Sequence, residues 1–361
     1  MKIIQHLIRK SLLCATLALL TAGTGRATWY EQPISGVSEA VFADNGAVDT
    51  NWNIYYCSSS STGKLYAIYN PGPGANWTGS PLVTNCGLHS NNIACDPVNH
   101  WTFYSGSDGY IWVIYWTGSG WASNKVGSNA TYGRQLCIDT VFHGLWYVDG
   151  VTGHLWILYW SGSAWIETKI DGANVRNRYG RTCGVDSLWH VAWYLTDDRK
   201  SLRGTYWNGS AWVNGAPIGI PLPGTEFYSS ICCQEGTHTP FNWQYNSVTG
   251  NSTRGGYFYW SGTAWTPATC FQDGNLPTSP GYCVVTPNPY SCLFGRIIGS
   301  GACYFTGWNA FARNWASCRH DNATMGGGTG LIPLACGQDG RAIFCAPYSG
   351  SYVRMLFSDV P

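Results

Sequence analysis

Residues 159–165 read YWSGSAW, and the same frame returns as YWTGSGW at 115–121, YWNGSAW at 206–212 and YWSGTAW at 259–265. Each copy holds two tryptophans apart by four residues drawn mostly from Gly, Ser and Ala. Such residues are hairpin-turn chemistry. The frame therefore predicts a β-hairpin with Trp160 across from Trp165. Cross-strand aromatic pairs of this kind contribute roughly 0.2–1 kcal/mol each. Two uses of the pair stay open. It is a joint that builds one unit repeatedly, or its half-exposed indole is a platform for the C–H face of a sugar. The second tryptophan recurs even in degenerate copies, which favours the joint.

Outward from the motif, the tryptophans that open the following segment are Trp29, Trp77, Trp121, Trp165, Trp212, Trp265 and Trp315, spaced 48, 44, 44, 47, 53 and 50 residues apart. Two central copies define the unit. One reads GRQLCIDTVFH, GLWYVDGVTG, HLWILYWSGSA, WIETKI over 133–170, and the next GRTCGVDSLWH, VAWYLTDDRK, SLRGTYWNGSA, WVNGAPI over 180–218. Four short β-rich runs at this period predict a β-propeller blade. The C-terminal SYVRMLFSDVP matches a third strand, and TWYEQPISG (28–36) matches the fourth-strand segment AWIETKIDG (164–172). The expected architecture is all-β: a seven-bladed β-propeller of four-stranded blades, closed by the N-terminal strand so that few sheet edges remain exposed.

The first residues read differently. Lys2, Arg9 and Lys10 precede an apolar run from Leu12 to Leu20, and Gly25-Arg26-Ala27 supplies small residues near a cleavage position. This predicts a signal peptide over 1–27, a single propeller domain over 28–361, and a secreted or periplasmic protein with no membrane span. Charged residues are 11% of the chain and the net charge is +1, against 20 Trp, 23 Tyr and 45 Gly. No basic field exists to attract nucleic acid. No cofactor is expected.

The first strand carries a cysteine in six units: Cys95, Cys137, Cys183, Cys232, Cys283 and Cys336. They are expected as small buried packing residues. Disulfides between blades are not expected there, because innermost strands diverge, and the tight ligand spacing of a zinc site is missing. Without Cys14, 14 cysteines remain, an even number for an oxidising compartment. Strand pairing suggests three bridges: Cys283 with Cys292 around TPNP (286–289), Cys336 with Cys345 around Gly340-Arg341, and Cys303 with Cys318 in the sixth unit.

An acid and a histidine also recur near the first turn: Asp96 with His100, Asp139 with His143, Asp186 with His190 and, more loosely, Glu235 with His238. Four equivalent copies read as turn-holding hydrogen bonds rather than acid–base chemistry. Sequons stand at Asn76, Asn129, Asn208, Asn251 and Asn322, and they matter only in a eukaryotic host.

The connectors point toward a ligand. Tyr132-Gly133-Arg134 and Tyr179-Gly180-Arg181 lead into first strands. In a propeller this connector shares a face with the turn between strands two and three, which carries Asp108, Asp149 and Asp197-Asp198. An aromatic face, a planar donor fork and a carboxylate suit a sugar ring with its hydroxyls. The alternative is Arg–Asp pairs that staple neighbouring blades.

The aromatic repeat, with motifs such as LWILYWSGSAW and YFYWSGTAW, resembles that of β-propeller lectins, among them the fungal fucose-binding, tectonin-type and Photorhabdus lectins. The resemblance covers nearly all of 28–361 and implies sugar sites in clefts between blades, built from aromatics with Arg and an acid. Only Tyr132 with Arg134 and Tyr179 with Arg181 match that pattern, and a repeated Arg/Glu/Trp set of the fucose-lectin kind is not found. Three functions follow for test: a multivalent lectin for glycans or glycoconjugates, a propeller glycoside hydrolase or polysaccharide lyase, and a non-catalytic scaffold that binds protein. An enzyme requires one unrepeated constellation, for which His89, His154 and His320 are the hints.

Overall fold

The computed structural model describes residues 29–358 apart from 38, 40, 73–74, 90, 176–181, 219–225, 235–237, 247–251, 277–282, 286–292, 297–302, 310–313, 321–330, 337–341 and 348–353. The leader expected over 1–27 lies outside them.

After β1 (Trp29–Pro33), the strands β2 (Val41–Asp49), β3 (Ile54–Ser59), β4 (Leu65–Tyr69) and β5 (Thr78–Val83) form a first antiparallel sheet. The second sheet holds β6 (Ile93–Asp96), β7 (Trp101–Ser105), β8 (Ile111–Trp116) and β9 (Trp121–Lys125). The third holds β10 (Arg134–Asp139), β11 (Gly144–Val148), β12 (His154–Trp160) and β13 (Trp165–Asn174). The fourth holds β14 (Cys183–Asp186), β15 (Val191–Leu195), β16 (Leu202–Trp207) and β17 (Trp212–Asn214). The fifth holds β18 (Glu226–Gln234), β19 (Thr239–Asn246), β20 (Ser252–Trp260) and β21 (Trp265–Leu276). In all five, strands pair in sequence order.

Beyond them, β22 (Cys283–Val285), β23 (Leu293–Arg296), β24 (Cys303–Asn309) and β25 (Asn314–His320) pair alike. So do β26 (Leu331–Cys336), β27 (Ala342–Pro347) and β28 (Arg354–Ser358). β1 runs antiparallel to β28, with Trp29 opposite Ser358 and Pro33 opposite Arg354.

Burial follows position in the sheet. β11 (GLWYV) and β15 (VAWYL) are buried along their whole length. A strand covered on both faces reads as a continuous apolar run rather than an alternation. The fourth strand β9 (WASNK) becomes exposed toward its end. Four apolar cores lie between consecutive sheets, from the first and second through to the fourth and fifth.

The paired tryptophans build both the hairpins and the seams. Trp116, Trp160, Trp207 and Trp260 pair in register with Trp121, Trp165, Trp212 and Trp265. Their ring centroids lie 5.4–5.8 Å apart, edge to face. The second tryptophan of each pair then reaches the preceding sheet. Trp121 meets Tyr56, Trp165 meets Phe103, Trp212 meets Trp146 and Trp265 meets Trp193, again edge to face. One indole thus closes its own hairpin and plugs the seam to the neighbour.

The recurring acids and histidines make a second seam. Asp49, Asp96, Asp139 and Asp186 are fully buried, and each accepts two backbone N–H bonds of its own turn through Oδ1. That half matches the expectation. His100, His143 and His190 do not pair within their own unit as expected, and Glu235, expected beside His238, lies outside the described residues. His100 donates from Nδ1 to Asp49 (2.7 Å), and His143, His190 and His238 donate to Asp96, Asp139 and Asp186 (each 2.8 Å). Each histidine bridges back to the preceding sheet because it adopts a left-handed conformation, φ 51–58°. Non-glycine residues rarely hold that conformation without compensating contacts.

The cysteine pairings expected from strand geometry are corrected by register. Cys283 lies opposite Gly295, Cys303 opposite His320, Cys318 opposite Phe305, Cys336 opposite Ile343 and Cys345 opposite Pro333, and Cys292 lies outside the described residues. None of the three proposed pairs is therefore directly opposed. Cys303 and Cys336 meet residues two positions from their expected partners and Cys283 meets one three positions away, as follows when the centre of a hairpin read from sequence is displaced by one to one and a half residues.

Candidate functional site

Tyr132 lies on the connector from the second to the third sheet. Its N–H donates to the Gly109 carbonyl (2.8 Å), while Gly150 N–H donates to the Thr131 carbonyl (2.8 Å). The connector is thereby stitched between the β7–β8 and β11–β12 turns. A Cβ at Gly109 would stand 3.0 Å from the Tyr132 ring, so glycine there lets the phenol lie flat on the turn.

Arg134 contacts His89, whose Nδ1 accepts from the guanidinium at 3.4 Å, and the His89 ring stands edge-on to Tyr132. The Arg134 Nε is buried with no hydrogen-bond partner. Burial, and secondly the Arg134 charge, hold His89 below its ordinary value of 6.5. Arg134→Gln removes that repulsion, so the His89 titration followed by NMR is expected to move back toward 6.5. No movement would place the guanidinium elsewhere.

The two nearby acids serve their own turns. Asp108 Oδ1 accepts from Tyr110 N–H and Trp112 Nε1–H, and Asp149 Oδ1 accepts from Val151 and Thr152 N–H. Tyr132, Arg134, Asp108 and Asp149 therefore come to one connector face, with His89 as an unexpected member. Among the described residues, the Arg134 guanidinium bonds to His89 and to no Asp. Tyr179 and Arg181 lie outside the described residues.

Asp197 belongs to a different place. A polar cleft of about 410 Å³ between the third and fourth sheets is lined by Asn174, Tyr194, Asp197, Asp198, Ser201 and Arg203, among others. Burial works to raise the Asp198 carboxyl. The bonds from Thr196 Oγ1–H (2.6 Å) and Lys200 N–H (2.9 Å) outweigh it, so the group stays ionised below the usual range. Burial pushes the Tyr194 phenol up, opposed by Arg203 beside it. The Arg203 Nε is buried without a hydrogen-bond partner.

Arg203 is a functional candidate that no sequence motif marks. It lies opposite Tyr194, where Trp112 lies opposite Tyr104 and Trp156 opposite Tyr147. Those Tyr–Trp pairs stack at 6.4 Å, 20° and 13° from parallel. The signal was present in the aligned copies, as HLWIL against SLRGT.

A second cleft of about 370 Å³ lies between the second and third sheets, lined by Trp101, Val113, Tyr115, Asn124, Trp160 and Trp165, among others. Its polar edge is the Asn124 amide, donating to Tyr115 Oη at 2.9 Å.

No protein-family model matches the chain, and no curated protein matches its sequence. Solved structures do. Virginiamycin B lyase from Staphylococcus aureus superposes with a TM-score of 0.61 at 9% identity, over 92% of this chain and 99% of that one. YCF48 bound to a D1 peptide gives 0.57 at 10% identity, over 93% and 96%. A protein from Lactobacillus plantarum gives 0.57 at 10% identity, over 77% and 84%. The fold is a β-propeller. At these identities the likeness speaks for blade architecture alone, and the four-stranded sheets are its blades.

Proposed function

We propose that this chain is a secreted or periplasmic, multivalent glycan-binding propeller, with sites in clefts between blades. In this reading residues 28–361 form one domain of seven blades, and β1 completes the blade of β26–β28. The β1–β28 register supports that closure, and so do the contacts between innermost strands of successive sheets, including β2 with β26.

The cleft between the third and fourth blades carries the functional reading. It presents carboxylates, an Asn amide and a guanidinium around one hollow. Sugar hydroxyls both donate and accept, and such a mixed set satisfies them in pairs. The apolar cleft under Trp160 offers indole faces for a sugar's C–H side, and the Tyr132–Arg134 connector offers a third position. Several weak sites on one rigid ring gain avidity on a glycosylated surface.

A glycan array with the purified protein tests this. Binding is expected, and Arg203→Ala should weaken it by about tenfold or more, the effect of one lost charged hydrogen bond. Silence across the array would remove the lectin reading.

A second reading, a scaffold that binds protein, has its own observation. The first hairpin turns expose Trp52, Val98, Val141, Phe142, Leu188 and Trp189. Exposed apolar side chains clustered on one set of turns mark contact surfaces. A protein ligand lost on Trp189→Asp, with no glycan bound, would favour it.

A further inference from the structure

Cysteines on innermost strands were expected to stay apart, because those strands diverge between blades. Cys137 of β10 and Cys183 of β14 do not. Their sulfurs lie 3.2 Å apart across the seam between the third and fourth blades. That is close enough for one thiol to donate to the other, and about 1.2 Å beyond the length of a disulfide bond. Both sulfurs belong to the apolar core between these two blades: Cys183 is fully buried, while Cys137 is partly accessible. The neighbouring Cys95 and Cys86 are occupied otherwise. Cys95 Sγ accepts from Thr102 Oγ1–H, and Cys86 Sγ from the Asn92 amide.

We infer that Cys137 and Cys183 form a disulfide that cross-links the third and fourth blades when the chain meets a disulfide donor. The accessible Cys137, as thiolate, attacks the donor disulfide, forming a mixed disulfide and releasing one donor thiolate. The Cys183 thiolate then attacks the Cys137 sulfur and expels the second donor thiolate. Two cysteine thiols lose two electrons and two protons, and one donor disulfide becomes two thiols. The bond needs only a small convergence of β10 and β14, and it spans 46 residues of sequence. A cross-link closing a loop of that length restricts the unfolded chain substantially. The leader expected at the N-terminus would carry the chain to a compartment where such donors persist.

The test uses the full purified chain, fully reduced and then incubated with oxidised glutathione, quenched with iodoacetamide and digested under non-reducing conditions. Mass spectrometry should find one peptide pair joined through Cys137 and Cys183 and released by dithiothreitol. Oxidation should also raise the thermal midpoint by several degrees in the wild type and not in Cys137→Ala. Three outcomes would overturn the inference: separate carbamidomethylated peptides for both cysteines, glutathione retained on Cys137 without a cross-link, or a Cys183–Cys232 link instead. Cys183→Ala is the second variant, should Cys137→Ala fail to fold.

Discussion

Trp146→Ala is expected to lower the unfolding free energy by about 4 kcal/mol, read from urea titration, the range for removing a large aromatic side chain from a core. Trp146 is fully buried, and Trp212 of the next blade meets it edge-on at 4.7 Å and 86°. The truncation empties the third blade's core and removes the surface that Trp212 plugs, so one substitution opens a seam as well as a cavity. Its counterpart is Trp146→Phe. The Trp146 Nε1 is buried without a hydrogen-bond partner, and an unsatisfied buried donor costs about 1–3 kcal/mol. Phenylalanine removes that donor along with some volume, so the two effects offset and the loss should stay under about 1.5 kcal/mol. Equal losses for the two variants would refute the account of Trp146 as an apolar plug.

Asp139→Ala is the second large effect, about 3 kcal/mol. The carboxylate is fully buried and accepts from Phe142 N–H (2.7 Å), Val141 N–H (3.1 Å) and His190 Nδ1–H (2.8 Å). Alanine leaves three donors stranded. His190→Ala leaves the turn bonds intact and removes only the link between blades, so it should cost less. In a double-mutant cycle the double variant should then lose less than the sum of the two single losses, since the two residues touch; additive losses would mean that the inter-blade bond contributes nothing.

The same carboxyl makes a pH prediction. Burial pushes it above 3.8, against the bonds from Phe142, His190 and Val141, which pull it down. A carboxyl raised on folding stabilises the native state below its unfolded value, and that contribution fades as pH rises through the folded value. The stability of the wild type relative to Asp139→Asn should therefore fall as pH climbs from about 3.8 upward, and a rise over that window would contradict it.

How much of this was legible beforehand varies from residue to residue. The Trp160–Trp165 hairpin was readable because its turn is four residues long and made of turn-forming types. The Asp139 turn was readable for the same reason, since its acceptor and donors lie within three residues. The partner of His190 was not, because it lies 51 residues away and an equally good acid, Asp186, stands in its own unit. The carboxylates at 108 and 149 looked available to a ligand, yet their own turns use them, which depends on backbone geometry that residue type does not encode. The cysteine pairs expected in the sixth and seventh units missed direct opposition because a hairpin centre misplaced by one to one and a half residues shifts every partner by two or three.

From the sequence alone come the β content, the repeat of four short strands, the hairpin that carries each tryptophan pair and the low, balanced charge. All are local, set by turn chemistry and side-chain type within a dozen residues. Only the tertiary structure decided what crosses the seams: Trp212 against Trp146, His190 on Asp139, and Cys137 beside Cys183. Those contacts join residues 46–66 positions apart. Which of several similar side chains meet over such distances depends on how one twisted sheet packs on the next, and a periodic chain offers nearly equivalent candidates in every repeat.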